Sequence, residues 1–241
     1  MDFLSLDLGL VSYSICHDLQ KKLRIQRQRG LIPDLLLFVE HPPVLTLGKR
    51  FVASDIIDSS HGFPVMATER GGRVTYHGPG QIVGYLICDL RARGLSIPQW
   101  VHQTEILLQE TLIHWEMKTR IKTSYPGLWT VDGRRKIASL GFHVERNVSM
   151  HGFSLNCSCN LDHYRFIHPC GLQDCEMTSM EKELGKNVSM LEVKTKILEV
   201  MDPIFRTKIN TLNSMSFLDS LCRQSRYDSQ DCLEALERSL P

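Results

Sequence analysis

No stretch of this chain approaches the roughly 18 uninterrupted apolar residues that a membrane span requires, and the amino terminus lacks the charged and apolar regions of a secretory signal. An excess of charge of either sign is missing as well. With 28 basic against 27 acidic residues, the chain as a whole has no general attraction for nucleic acid. Internal repeats, low-complexity tracts and an evident linker are also absent, so the strands before and after the central helix are expected to share one mixed sheet. No Gly-Lys-Ser/Thr phosphate loop occurs, nor glycines spaced for a dinucleotide ahead of a helix. Eight cysteines are present, but a chain of 241 residues is too long for a small secreted disulfide scaffold. They read as reduced thiols in a cytoplasmic setting. The first residues carry Asp2 and Asp7 and no Arg, unlike an Arg- and Ser-rich, acid-poor mitochondrial presequence, so the mitochondrial matrix is kept as the alternative compartment.

What is there is ordinary globular protein, 42% hydrophobic and 23% charged, so a sizeable core can be buried. Leu4, Leu6, Leu8 and Leu10 alternate with Ser5, Asp7 and Gly9, which predicts a first strand. Ile15, Leu19 and Leu23 then recur every four residues, with Lys21, Lys22, Arg24 and Arg27 on a basic side, as on a surface helix ending near Gly30. Leu35 to Glu40 and Val44 to Leu47 read as two strands separated by the stiff His41-Pro42-Pro43. Arg73 to His77 and Ile82 to Leu90 are extended runs around Gly78-Pro79-Gly80, read as a hairpin.

A helix is expected from Ser96 and Pro98, with Val101, Leu108, Leu112 and Trp115 on one face. Asp132-Gly133 between Trp129 to Val131 and Arg134 to Val144 is a strong hairpin signal. Thr178 with Glu181, and Ser189 with Glu192, have capping-box spacing for two closing helices, the second ending at Pro203. The expected fold is α/β, an α+β mixed sheet occupying residues 1–206, followed by an appendage at 207–241. In the appendage only Phe217, Leu218, Leu221 and Cys222 suggest a weak helical stripe.

Cys170 in Ile167-His168-Pro169-Cys170-Gly171 sits where a proline fixes the approach and a glycine leaves a thiol uncrowded, which suits a nucleophile. A plain buried cysteine is the competing reading, and a base must be found to favour catalysis. In a hairpin turned at Asp132-Gly133, Trp129 falls opposite Lys136, so the indole would cover the amine's stem. Strict alternation places Lys136 on the apolar face of Ala138, Leu140, Phe142 and Val144. Full burial can shift an amine by up to about 3 to 5 pKa units, enough for a base near neutral pH. A solvated strand end next to Arg134 and Arg135 is the alternative. The run from Arg70 to Gln81 packs glycines, cations, a phenol and an imidazole more densely than a turn requires.

His151, Cys157, Cys159, His163, His168, Cys170 and Cys175 crowd one stretch, yet Cys-x-Cys without a paired Cys-x-x-Cys is not a zinc framework, so no metal is expected there. Cys157 and Cys159 are expected within a strand.

Taken in order, Glu40-His41-Pro42-Pro43, Arg70 to Gln81, Pro126-Gly127-Leu128-Trp129, Lys136 to Gly141, His151-Gly152-Phe153, Leu155-Asn156 and Pro169-Cys170-Gly171 resemble the octanoyl-carrier-protein:protein octanoyltransferases, also called lipoate-protein ligase B. The resemblance spans about residues 4 to 205, and the later tail has no counterpart in it. It implies a biotin/lipoate-protein ligase-like domain, a Cys170 nucleophile with Lys136 as base, and no cofactor. It also implies a substrate tunnel lined by Arg70, Gly71, Gly72, Arg73, Val74, Thr75, Tyr76 and His77, by Ser139, Leu140 and Gly141, and by Gly152, Phe153 and Ser154. His41, His151 and Trp129 are possible supporting residues.

The implied donor is octanoyl-acyl carrier protein, for which the basic helix side could be a docking face. The implied acceptors are apo lipoyl domains of 2-oxoacid dehydrogenase complexes and the glycine cleavage H protein. Two rivals stay open: an ATP-dependent lipoate or octanoate ligase on the same scaffold, and a non-catalytic binder of lipoyl or acyl-carrier domains. The Pro169-Cys170-Gly171 block argues against the first, and the presence of both dyad residues argues against the second.

Overall fold

The computed structural model describes residues 2–172 and 175–211. In chain order the elements are β1 (Phe3–Leu10), α1 (Tyr13–Gln28), β2 (Asp34–Glu40), β3 (Val44–Leu47), β4 (Val65–Ala67), β5 (Val74–His77), β6 (Gln81–Ile87) and α2 (Ile97–Ile113). There follow β7 (Thr119–Ile121), β8 (Gly127–Thr130), β9 (Arg135–Glu145), β10 (Val148–Asn156), β11 (Glu176–Met177), α3 (Met180–Leu184), α4 (Met190–Phe205) and β12 (Ile209–Thr211). The nine-stranded sheet runs β12-β1-β2-β6-β10-β9-β8-β7 with β11 beside β9, and it is mixed: β1 runs parallel to β2 and β12, while β2, β6, β10, β9 and β8 alternate in direction.

Expectation and structure part company at the Gly78-Pro79-Gly80 turn. β5 and β6 form no hairpin; β5 pairs with β3 in a separate sheet ordered β4-β3-β5, while β6 lies between β2 and β10 in the large one. The two punctuated breaks, His41-Pro42-Pro43 and Gly78-Pro79-Gly80, are the crossings between the sheets, because β2 and β6 pair on one side of them and β3 and β5 on the other. The single sheet expected from the sequence is therefore two.

Each face of the large sheet is covered separately. Leu36, Phe38, Ile82, Leu86, Phe153, Leu155 and Ala138 face α2 and α4, where Trp100 packs on Phe142 and Phe205 at centroid distances of 6.0 and 5.0 Å. Leu35, Leu37, Val39, Val83, Tyr85 and Ile87 face α1 through Tyr13, Cys16, Leu19 and Leu23. A third, smaller cluster of Leu45, Val74, Tyr76, Tyr164, Ile167 and Met177 fills the space under the small sheet.

Local signals hold with adjustments at the ends. Ser96 caps α2 in a box with Gln99, but Trp115 lies beyond its last residue. The cap of α3 is Ser179, not Thr178, since its hydroxyl accepts from the Lys182 amide. Ser189 caps α4 through the Glu192 amide, and Pro203 lies inside the last turn instead of ending it. A proline there forfeits only one helical hydrogen bond before the left-handed Arg206 stops the helix. Past the expected boundary at 206, β12 joins the edge of the large sheet beside β1, and residues 212–241, with the expected stripe around Phe217, lie outside the described residues. No described helix is long and apolar enough to cross a membrane.

The basic side of α1 is largely committed within the fold. Arg27 bonds Asp34 at 2.7 Å, Arg24 pairs with Glu145, and Lys21 lies 3.6 Å from Asp18 and 3.8 Å from Glu69.

Candidate active site

Lys136 is the second residue of β9, shortly after the Asp132-Gly133 turn, and it stands opposite Trp129 as the turn geometry predicts. One register step later, Leu128 pairs with Ala138, so Ile137 is an extra residue, a β-bulge. This bulge corrects the expected alternation. Residues directly paired across an antiparallel ladder share a face, and the row Ala138–Leu155–Ile82 points to α2 and α4. The row Ser139–Ser154–Val83 points the other way, and the extra residue lets Lys136 join that side although it lies two positions from Ala138. Lys136 is 1% exposed, its Nζ is 5.3 Å from the Trp129 ring centre, and it donates to Cys170 Sγ at 3.2 Å.

Cys170 occupies a short turn, Pro169–Gly171, with left-handed backbone at φ 57 and ψ 15. A side-chain-bearing residue held in that region stores of order 1 to 3 kcal/mol of strain and needs support from its surroundings. The support is visible. The His168 amide donates to the Asp55 carbonyl at 2.8 Å, Arg73 is clamped by the Asp55 carboxylate, and Arg73 packs against Gly171 so closely that a Cβ there would meet its Cδ at 2.4 Å. The Gly171 amide is donated to the His168 carbonyl at 2.8 Å, so it is not free to meet a ligand.

Among the described cysteines, burial pushes Cys16 and Cys159 up to about 12 and Cys175 to about 11, and it raises Cys88 and Cys157 as well. All five stay thiols near neutral pH, whereas the sulfur touched by an amine is that of Cys170. Cys157 and Cys159 lie just beyond β10, not within it.

Beside Cys170 a cleft is lined by Tyr13, Arg70, Gly72, Arg73, Val74, Thr75, His77, Val83, Tyr85, Ser139, Leu140, Gly141, His151, Gly152, Phe153 and Ser154. Of the tunnel residues expected from the sequence, all but Gly71 and Tyr76 border it. The Gly71 amide is tied to the Phe142 carbonyl at 2.9 Å, and the Tyr76 side chain points into the third cluster, its hydroxyl 2.7 Å from His163 Nδ1. Leu140 and Phe153 border the cleft, but their side chains join the core on the far face.

His41 does not line the cleft. It lies behind, where Nδ1 donates to the Val11 carbonyl at 2.6 Å and Nε2 accepts from the Tyr85 hydroxyl at 2.7 Å. Trp129 flanks Lys136 outside the cleft. Tyr13, Val83 and Tyr85 were not expected. Period-two spacing puts Val83 and Tyr85 on one face of β6, but only the pairing of β6 with β10 brings that face beside Gly152.

Buried polar groups border the cleft beside its apolar lining. Arg70 holds Thr46 through its carbonyl at 2.6 Å and its hydroxyl at 2.8 Å, and burial moves the guanidinium below its ordinary range. Burial likewise lowers His77 to about 3 and His41 to about 4, so both are neutral at physiological pH. From His77 a continuous set of bonds reaches the dyad: Nδ1 to Gln81 Oε1 (2.6 Å), Gln81 Nε2 to Asn156 Oδ1 (2.8 Å), Asn156 Nδ2 to the Thr178 carbonyl (2.9 Å) and the Thr178 amide to the Lys136 carbonyl (2.9 Å).

A buried amine touching a half-buried thiol on a strained turn beside a cleft is an arrangement in which the amine can act as base to a nucleophilic sulfur. Residues 12–202 match the family model of the lipoyl protein ligase A/B catalytic domain. The chain belongs to this family. An octanoyltransferase from Koribacter versatilis is 39% identical over 221 residues, 88% of each chain, and one from Syntrophobacter fumaroxidans is 44% identical over 197 residues, 80% of this chain and 86% of that one. In solved structures the fold recurs in a bipartite lipoate protein ligase from Thermoplasma acidophilum (TM-score 0.69, 15% identity, 93% of this chain and 91% of that one). It recurs also in a biotin protein ligase from Aquifex aeolicus (TM-score 0.53, 14% identity, 85% and 70%). At those identities the family's solved relatives bear on the fold alone, which is the ligase-like α/β domain expected from the sequence.

Proposed function

We propose that this chain is an acyltransferase that moves an octanoyl group from octanoyl-acyl carrier protein to a lysine of an apo lipoyl domain, through an acyl-enzyme on Cys170. The observation that carries the proposal is the 3.2 Å contact between Lys136 Nζ and Cys170 Sγ at the mouth of the cleft. Its close relatives are named octanoyltransferases, which supports the eight-carbon acyl group.

Lys136 takes the thiol proton as Cys170 Sγ attacks the thioester carbonyl; collapse of the tetrahedral intermediate breaks the bond to the carrier sulfur, which leaves with that proton. The acceptor lysine's amine then attacks the acyl-enzyme, the amide forms, and the Cys170 thiol is restored by the proton the amine releases. The acyl bond stays activated throughout, so the chemistry consumes no nucleotide. Each buried methylene of the acyl chain contributes about 0.8 kcal/mol, which lets cleft depth select chain length. The free thiol calls for a reducing compartment, as in bacterial cytoplasm or the mitochondrial matrix. Lipoyl domains of 2-oxoacid dehydrogenase complexes and the glycine cleavage H protein are the acceptors.

The test is transfer to an apo lipoyl domain with octanoyl-carrier protein and no ATP, set beside free octanoate with ATP. The proposal predicts product from the first mixture only. Product from the second alone would establish an ATP-dependent ligase instead.

A further inference from the structure

Three residues distant in sequence meet where α1, the segment before Arg70, and β10 come together. His17 Nε2 lies 2.7 Å from Glu69 Oε2, His151 Nε2 lies 3.8 Å from the same oxygen, and the three groups' ligand atoms all fall within 4.8 Å of one another. Zinc ligands at about 2.0 to 2.2 Å from the ion stand about 3.4 Å apart in a tetrahedron, a spacing that the two measured distances bracket.

His151 gives a second, separate observation. It is 2% exposed, and neither ring nitrogen has a partner at hydrogen-bond distance, the Glu69 carboxylate standing off at 3.8 Å, although a buried polar atom left unpaired costs about 1 to 3 kcal/mol. Its backbone is left-handed, at φ 62, and its amide is held by Gln20 Oε1 at 2.9 Å, so the ring is fixed against the His17 ring at 5.5 Å. Burial with unused lone pairs is what a ligand's imidazole needs before the ion arrives.

We propose that His17, Glu69 and His151 form a binding site for one d-block divalent cation of the zinc type, with water completing the coordination. Two imidazoles and a single carboxylate suit zinc and its neighbours, whereas magnesium and calcium require several oxygens that this cluster does not provide. Lys21, 3.8 Å from Glu69 Oε1, and the adjacent Arg70 further disfavour an ion held by charge alone. The Glu69 side chain is 40% exposed and supplies the entry path. His17 binds in the tautomer that carries its proton on Nδ1. Since His151 also lines the acyl cleft, the ion fixes one wall of that cleft. The site uses none of the cysteines, and of the His- and Cys-rich stretch set aside in the sequence it takes only His151, which His17 and Glu69 join from elsewhere in the chain.

The experiment uses the full chain, stripped with a chelator and titrated with cobalt(II) in place of zinc. One equivalent is expected to give visible d–d absorption without thiolate charge transfer and to be displaced by zinc. Zinc is also expected to raise the melting temperature, as any ligand of the native state must. Glu69→Gln keeps the side chain's shape and should weaken binding at least about tenfold and abolish the thermal shift; His17→Gln should behave alike. Absence of a d–d band, appearance of thiolate charge transfer, or unchanged binding and thermal shift in Glu69→Gln would each overturn the proposal.

Discussion

Lys136 donates to Cys170 across 3.2 Å, and the two residues reach that contact from backbones of different kinds, a bulged strand and a left-handed turn. The strand aims the amine through the bulge at Ile137, and the turn lifts the thiol off the Arg73–Asp55 clamp. Replacing Lys136 by Met retains most of the buried stem and removes the proton acceptor. General-base catalysis is worth about 10² to 10⁴ in rate, so a rapid-quench assay of Lys136→Met should show Cys170 acylated slower by that factor, with the circular dichroism spectrum unchanged. An unaltered acylation rate would remove Lys136 from the chemistry.

The neighbour that leaves room for Lys136 is Gly127. Its φ is 133, and a Cβ would meet the Ala138 carbonyl oxygen at 2.2 Å and Lys136 Cε at 2.6 Å. Overpacking of this kind costs about 1 to 3 kcal/mol, so Gly127→Ala should lower the melting temperature and, by displacing the amine, depress transfer as well. Gly30→Ala is the control. At φ 71 with nothing within 4 Å, it meets backbone strain only, and should lose some stability while retaining activity.

Much of this was legible in the sequence, and what was not has a physical cause. Strand and helix periodicity placed β1, α1 and α2, and the Asp132-Gly133 turn placed Trp129 opposite Lys136, because each depends on residues near one another in the chain. The bulge at Ile137 leaves no such trace, so alternation sent Lys136 to the wrong face. The partners of β5 and β6 are set by tertiary packing: a Gly-Pro-Gly turn between two extended runs reads as a hairpin whether the chain folds back or crosses to another sheet. For the same reason Tyr13, Val83 and Tyr85 entered the cleft unannounced, and the His17–Glu69–His151 cluster has no motif at all.

The buried histidines make stability depend on pH. His41 titrates at about 4 and His77 at about 3, against an ordinary 6.5 in the unfolded chain, so both are neutral when folded and take up protons on unfolding below about pH 6.5. Stability is therefore fully present above the unfolded value and falls as pH drops toward the folded ones, by up to about 1.4 kcal/mol per pH unit for each histidine. Chemical denaturation between about pH 7.5 and about pH 4.5 should follow that slope, and His77→Asn should flatten it. A His77→Asn curve parallel to wild type would mean that His77 is not the group responsible.

The most direct test of the central claim is the intact mass of the protein after exposure to octanoyl-carrier protein alone, with neither acceptor nor ATP. Wild type should gain a single octanoyl group that peptide mapping places on Cys170 and that moves to added apo lipoyl domain, and Cys170→Ala should gain none. A wild-type chain that stays unmodified while transferring octanoyl normally, or a Cys170→Ala chain that still carries the adduct, would contradict the account.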